Sequence, residues 1–433
     1  MTARGAPRGH SRFSPVPPMP LTARPELLIL AESGGSLGLA LWRVAADAFL
    51  WGGAKSEDRG ELFAAVDPDE ARLIASAVTE GPELASAIRT IRTVREQPRQ
   101  ADADAVADAS SVIVVWAEAR DRKETALLFA ELAALLQPAS AARAFTAGRL
   151  SRRLGESQRA GIWYWRSARL ARRANSNIDR ANARLGLANL AHDLGKYPAA
   201  EAHLWKALRA ALRNGRKSLA AAAYHNLIAV AYDTGRPTEA LQFLKTAADY
   251  YQPDHPRFPV LAYDAGFYLL RERYFSSALL VFEKVLPWVE GQRVSILVLS
   301  ACARAAAAVR DHIRFQRMST AVLKLTAMDD EDSANALYQV AEGARSFLDW
   351  ERAHELAVQA LELARRREDA ATISSAEALV AEIASRTPGD IDQVPPEGHP
   401  VDEITQMILK KLARRSAPPA GGGAVPPEQY PTD

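Results

Sequence analysis

The strongest constraint on this chain is a helical hairpin that returns about seven times between Asp104 and Arg386. Its clearest copy has Gly186 in a first helix, Gly195 at the turn and Ala200 opening a second helix, with Leu204 and Ala207 following. The next copy repeats the scheme with Gly235, Ala240, Leu244 and Ala247. The alanine that opens each second helix falls at Ala126, Ala160, Ala200, Ala240, Ala278, a degenerate site near Gln316, and Ala353. Two antiparallel helices joined by a tight turn need small residues where their backbones approach, and alanine is also the strongest helix former. One hairpin cannot bury its apolar face; a stack of them buries a continuous core.

These residues resemble the tetratricopeptide repeat (TPR), and the likeness covers about two thirds of the chain. The spacings are roughly 34 to 40 residues against a standard of about 34, so most copies carry helices about a turn longer; the resemblance is to the long-helix type that occurs in bacterial regulators. The resemblance implies an all-α, right-handed superhelical solenoid of antiparallel helix pairs, a binding scaffold whose first helices line a concave groove. The copy around Arg304–Asp311 keeps its small residues but lacks the turn glycine. Residues 101–386 are read as the solenoid with a capping helix at Ala370–Ser385, where Ile373, Ala376, Leu379, Val380 and Ile383 share one face.

Before the array, residues 1–25 are rich in Pro, Arg, Gly and Ser and read as a mobile segment. Residues 26–100 read as a helical N-terminal cap, with Asp67 starting a helix and Gly81-Pro82 dividing two. A helix-turn-helix over Ala71–Glu96 is disfavoured because the second helix has no bases grouped at its start. The apolar stretch Ser36–Trp51 contains Arg43 and Asp47 and falls short of the about 20 apolar residues of a membrane span, so it reads as a core helix. After the array, residues 387–433 read as a flexible tail. It carries a short amphipathic helix at 401–415, striped by Val401, Ile404, Met407, Ile408 and Leu412 and ending in Lys410, Lys411, Arg414 and Arg415. Helices this short are marginal alone, so it is expected to dock on the array as an internal ligand, or on another protein.

Catalytic patterns are absent from the sequence: there is no His-Glu-x-x-His run, paired-cysteine motif, phosphate loop or nucleophile elbow. No metal and no cofactor is expected. The single Cys302 excludes an internal disulfide, fits a reducing, cytoplasmic setting, and sits in an alanine-rich helix as a packing thiol.

The groove candidates come from the first helices: Asn189 and His192 on one, His225, Asn226 and Tyr232 on the next, Tyr263 and Phe267 on the one after. Asn189 and Asn226 match the asparagine pair of the carboxylate-clamp TPR subfamily, but Leu185, Val260 and Asp264 stand where that clamp needs bases, so a chaperone-tail clamp is rejected. The two amides then either hydrogen-bond an extended peptide backbone or make ordinary interhelix bonds. Residues 141–220 hold 17 Lys/Arg against 4 Asp/Glu, with Arg149 and Arg152 near the start. That excess either steers an acidic partner or keeps alanine-rich helices soluble. A net charge of +2 does not by itself imply nucleic acid, which is disfavoured as a partner, and Trp163-Tyr164-Trp165 is expected to pack in the core. The reading is a non-enzymatic scaffold for a peptide or protein segment. The alternative is a TPR-type sensor in which a peptide or ligand controls a signalling or transcription partner.

Overall fold

The computed structural model describes residues 25–63, 68–289, 294–326, 332–389, 392–393 and 399–415, which form helices and turns with no strand among them. The expected mobile segment before residue 25, the helix start at Asp67, most of the acidic run 329–332, the linker at 394–398 and the final tail lie outside the described residues. The chain divides into two compact units, Met1–Ala139 and Ser140–Asp433.

The first unit holds α1 (Pro25–Ser33), α2 (Gly35–Gly53), α3 (Pro68–Glu80), α4 (Ala85–Glu96), α5 (Ala103–Glu118) and α6 (Lys123–Leu136). The last two form an antiparallel pair; α1 and α2 lie against α6, and α4 lies against α5 and α2. The α2 helix buries Leu41, Val44, Ala48 and Trp51, and its Asp47 meets Arg95 of α4 at 3.3 Å. No helix among the described residues is long and apolar enough to cross a membrane. Glu32 closes the start of α6, accepting from the Glu124 and Thr125 amides at 2.7 and 2.9 Å, where helix amides otherwise lack partners. The α4 helix buries Ile88, Ile91 and Val94, and two of its three arginines pair with carboxylates, Arg92 with Glu96 and Arg95 with Asp47.

The second unit continues the same plan. Its pairs are α7 (Ala141–Arg153) with α8 (Ser157–Arg173), α9 (Asn177–Asp193) with α10 (Tyr197–Arg213), and α11 (Lys217–Asp233) with α12 (Pro237–Tyr250). Then come α13 (Phe258–Arg271) with α14 (Phe275–Val289), α15 (Ser295–Ala308) with α16 (His312–Thr326), and α17 (Ser333–Ser346) with α18 (Trp350–Arg366). A single α19 (Ala370–Ala384) packs on α18 and α17 and ends the series. This is a TPR-like array of helix pairs. Ala160, Ala200, Ala240, Ala278 and Ala353 are all fully buried at the openings of second helices.

The glycines of the first helices have a specific use: each seats an aromatic ring. A Cβ on Gly186 would stand 2.3 Å from the Tyr164 ring, one on Gly266 2.6 Å from Phe282, and one on Gly343 2.6 Å from Phe315. The helix axes can approach at these points only because no side chain intervenes.

Every tight turn uses a left-handed residue just past a helix end. Gly155, Asn175, Gly195, Gly215 and Gly235 supply it early in the unit, while Arg273, Arg310, Leu348 and Glu368 supply it later, with φ between 57 and 67° for these four. Arg310 is the turn residue of the copy that lacks a glycine. A left-handed side chain costs about 1–2 kcal/mol, so tertiary packing, not local preference, holds these later turns.

Within the second unit α9 and α19 come close: a Cβ on Gly195, at the α9–α10 turn, would lie 3.1 Å from Ala370 at the start of α19. The chain then runs back across the array. Asp392 accepts from the Ser276 amide at 3.0 Å, Gln393 donates to the Arg273 carbonyl at 2.9 Å, and α20 (Pro400–Leu412) lies against α13 and α14. Val401, Ile404, Ile408 and Leu412 are buried in the core of the array, and Lys411 and Arg415 donate to backbone carbonyls at and beyond the end of α12. The described part of the tail is therefore a strap with a docked helix at its end.

Candidate interaction surface

The candidate residues lie on the odd-numbered, first helices of the pairs in the second unit. There Arg152, His192, His225 and Tyr232 join a ladder whose rungs link one first helix to the next. Arg152 of α7 pairs with Asp193 of α9 at 2.9 Å. His192 of α9 meets Asp233 of α11 at 2.9 Å, and Asp233 also takes Arg271 of α13 at 2.7 Å. His225 binds Asp264, and the Tyr232 hydroxyl donates to Glu272, whose neighbour Arg271 stacks its guanidinium 3.9 Å above the Tyr232 ring. Further along, Arg304 of α15 donates to Gln339 of α17 at 3.1 Å, and Arg345 of α17 holds both Glu342 and Glu382 of α19.

Charge on this row is balanced within the protein. Burial disfavours the His192 imidazolium, but the hydrogen bond and charge of Asp233, with Asp193 and Asp369 behind, outweigh it and raise the His192 pKa. Burial likewise disfavours the Glu342 carboxylate, yet Arg304 and Arg345 hold its pKa below the ordinary range. Burial and then the bond to Glu272 push the Tyr232 hydroxyl pKa well up, so it stays a donor.

Three candidates are drawn inward. Arg149 is buried, His225 is 5% exposed, and Tyr263 is 6% exposed in the core between Phe267 and Phe282. Phe267 packs against the edge of that core. The asparagines resolve differently. Asn226 Nδ2 donates to Asn189 Oδ1 at 2.7 Å, which is the interhelix bond, and both side chains stay half-exposed. Neither makes another side-chain hydrogen bond among the described residues, so the Asn189 amide group keeps its donors and Asn226 keeps its acceptor. Exchanging the O and N assignment of both amides preserves this: one bond is used, and an NH₂ group on one side chain and a carbonyl oxygen on the other remain open.

The sequence reading missed Asp233, Arg271, Glu272, Glu342 and Arg345. The signal for them was the repeat length. Asn189–Asn226, His225–Asp264, Tyr232–Glu272 and His192–Asp233 are separated by 37, 39, 40 and 41 residues, one repeat each. A search for complementary polar residues one repeat apart finds the ladder.

A second surface lies between the second helices α8 and α10, floored by the start of α9, and none of its lining residues belongs to the ladder. It encloses about 620 Å³. Trp165 at its edge is 50% exposed, which corrects the expectation that all three aromatics of Trp163–Trp165 pack in the core. Trp163 and Tyr164 are buried, but the next position along a helix turns by about 100° and carries Trp165 outward.

Cys302 is buried, and burial pushes its thiol up to about 12, as suits a packing residue. No group of three or more metal-ligating side chains is found among the described residues.

No protein-family model matches this chain, and no curated protein matches it. Among solved structures it is similar to a Rap protein complexed with Competence and Sporulation Factor, at 11% identity and a TM-score of 0.34 over 81% of this chain and 100% of that one. It is also similar to the TPR domain of P58(IPK), at 14% identity and a TM-score of 0.20 over 76% of this chain and 99% of that one.

Proposed function

We propose that the chain is a non-enzymatic interaction scaffold that holds an extended peptide or protein segment along the first-helix row of its second unit. The observation that carries this is the half-satisfied asparagine pair. Its one internal bond fixes both amides in place, and the remaining donor of Asn189 and acceptor of Asn226 match the C=O and N–H of a peptide backbone. The flanking rungs support the same use: Arg152–Asp193, His192–Asp233 and Tyr232–Glu272 hold the neighbouring first helices in register, so the pair is preorganised. Arg152, His192 and Tyr232 contribute in this reading by fixing the surface, while His225 and Tyr263 support it from below.

The test is selection of peptides from a random display library on the full chain, followed by calorimetric affinities for the wild type and for Asn189→Ala/Asn226→Ala. Two backbone hydrogen bonds at about 0.5–1.5 kcal/mol each predict a loss of about fivefold or more in Kd with the melting temperature nearly unchanged. Selected peptides that bind both proteins equally well would remove the asparagine pair from the surface.

A further inference from the structure

The groove between α8 and α10 has a composition that folding does not require. Besides Arg169, which has interactions of its own, Arg172 of α8, Arg180 and Arg184 of α9, and Lys206, Arg209 and Arg213 of α10 line it, and no carboxylate among the described residues does. None of these six pairs with a carboxylate among the described residues. Three of the four acids in residues 141–220 are engaged elsewhere: Glu156 with Arg159, Asp193 with Arg152, and Glu201 with Arg236. The remaining one, Asp179, does not line the groove. Arg184 instead approaches the neutral Nδ1 of His203 at 3.0 Å and lies over the Trp165 ring at 5.6 Å. The side chains already register this crowding. Burial, then the charges of Arg184 and Lys206, push His203 down to about 4; burial, then Arg180, lowers the pKa of Arg184.

Concentrating six cations without a counter-charge raises the free energy of the folded chain, and a bound polyanion would reverse that cost. Three features define the anion. The volume of about 620 Å³ suits a small molecule rather than a folded partner. On the α12 side the basic tract stops, because Arg236 and Lys245 are paired with Glu201 and Glu403. At the edge stands a half-exposed Trp165, the kind of ring on which a base stacks. We propose that the α8–α10 groove binds a nucleoside polyphosphate, with the phosphate chain among Arg172, Arg180, Arg209 and Arg213 and the base against Trp165. The site is separate from the asparagine pair, and its test does not depend on that surface.

Adenosine triphosphate, tripolyphosphate, adenosine and an oligothymidine are titrated calorimetrically into the full chain at low ionic strength. The expected result is saturable binding of adenosine triphosphate, weaker binding of tripolyphosphate, no binding of adenosine, and weakening of both anions by added salt. Arg172→Glu/Arg209→Glu is expected to lower the adenosine triphosphate affinity about tenfold or more while the protein melts normally, and Trp165→Ala to bring adenosine triphosphate down to the level of tripolyphosphate. Because charge reversal can act at a distance, Lys206→Ala/Arg213→Ala provides a neutral second variant and is expected to weaken binding in the same direction. Absence of binding at about 1 mM, or equal binding by both double variants, would overturn the site. Tripolyphosphate binding as tight as adenosine triphosphate would overturn the nucleoside assignment, and oligothymidine binding without adenosine triphosphate binding would replace it with a nucleic-acid surface.

Discussion

The first-helix row and the α8–α10 groove are built from the same kinds of residue on the same repeats, yet they treat charge in opposite ways. Along the row, Arg152, Arg271 and Arg345 each meet a carboxylate one repeat away. In the groove, Arg172, Arg209 and Arg213 have no such partner among the described residues. A repeat protein must hold successive hairpins at a fixed angle, and ion pairs between consecutive first helices do that directly. The groove cations link no repeats through carboxylates, so their arrangement is explained by a ligand rather than by the fold. Charge that is closed within the protein reads as architecture; charge left open reads as recognition.

The largest expected effect tests the closed half. Arg345 is 4% exposed and holds Glu342, itself 6% exposed. Arg345→Met leaves a buried carboxylate with the Tyr338 hydroxyl and the more distant Arg304, at 3.6 Å, and should cost about 3 kcal/mol, or roughly 3–5 °C in melting temperature. A melt within a degree or so of wild type would show that the row is decoration.

The next effect concerns packing. Gly186→Ala on the row places a Cβ against the Tyr164 ring and should destabilise by about 1–3 kcal/mol. Gly161→Ala on α8, which borders the groove, has only an ordinary 3.5 Å contact with Leu190 and should stabilise by up to about 1 kcal/mol through helix propensity. Equal melting of the two variants would contradict the tight first-helix crossing.

Much of this was legible in the sequence. Glycine, alanine and apolar spacing located the hairpins, because close backbone approach leaves a direct mark on residue size. The amphipathic stripe of Val401, Ile404, Ile408 and Leu412 likewise marked a helix that must be covered, although nothing in the stripe indicated that α13 and α14 would cover it. The turn at Arg310 was obscured because packing there overrides the local preference for glycine. The ladder was harder to read, since its partners lie a full repeat apart and each looks like an ordinary polar residue alone. Asn189 and Asn226 were found, but only the structure shows that they bond to each other and leave an NH₂ group and a carbonyl oxygen open.

A smaller effect depends on pH. The folded pKa of His192 lies above the ordinary 6.5, so its bridge to Asp233 stabilises fully below pH 6.5 and loses that contribution as pH rises through the folded value. Melting of wild type minus His192→Gln should therefore differ by about 1 kcal/mol at pH 5.5 and by less at pH 9. A difference that grows with pH would reverse the assigned protonation. The smallest effect is in the groove: Arg209→Ala should change stability by less than about 0.5 kcal/mol, in the stabilising direction, because it removes repulsion and no ion pair. Destabilisation by more than 1 kcal/mol would mean that the groove, too, is architecture.

The most direct test of the scaffold is to watch the asparagine side chains as a segment binds. In a ¹⁵N-labelled full chain, the Nδ2 resonances of Asn189 and Asn226 can be assigned by substitution and followed during titration with a display-selected peptide. The account predicts that the Asn189 amide protons shift with saturation and are protected from exchange, while the arginine signals of the α8–α10 groove stay in place. Saturating binding that moves the groove arginines and leaves both asparagine amides unchanged would contradict it.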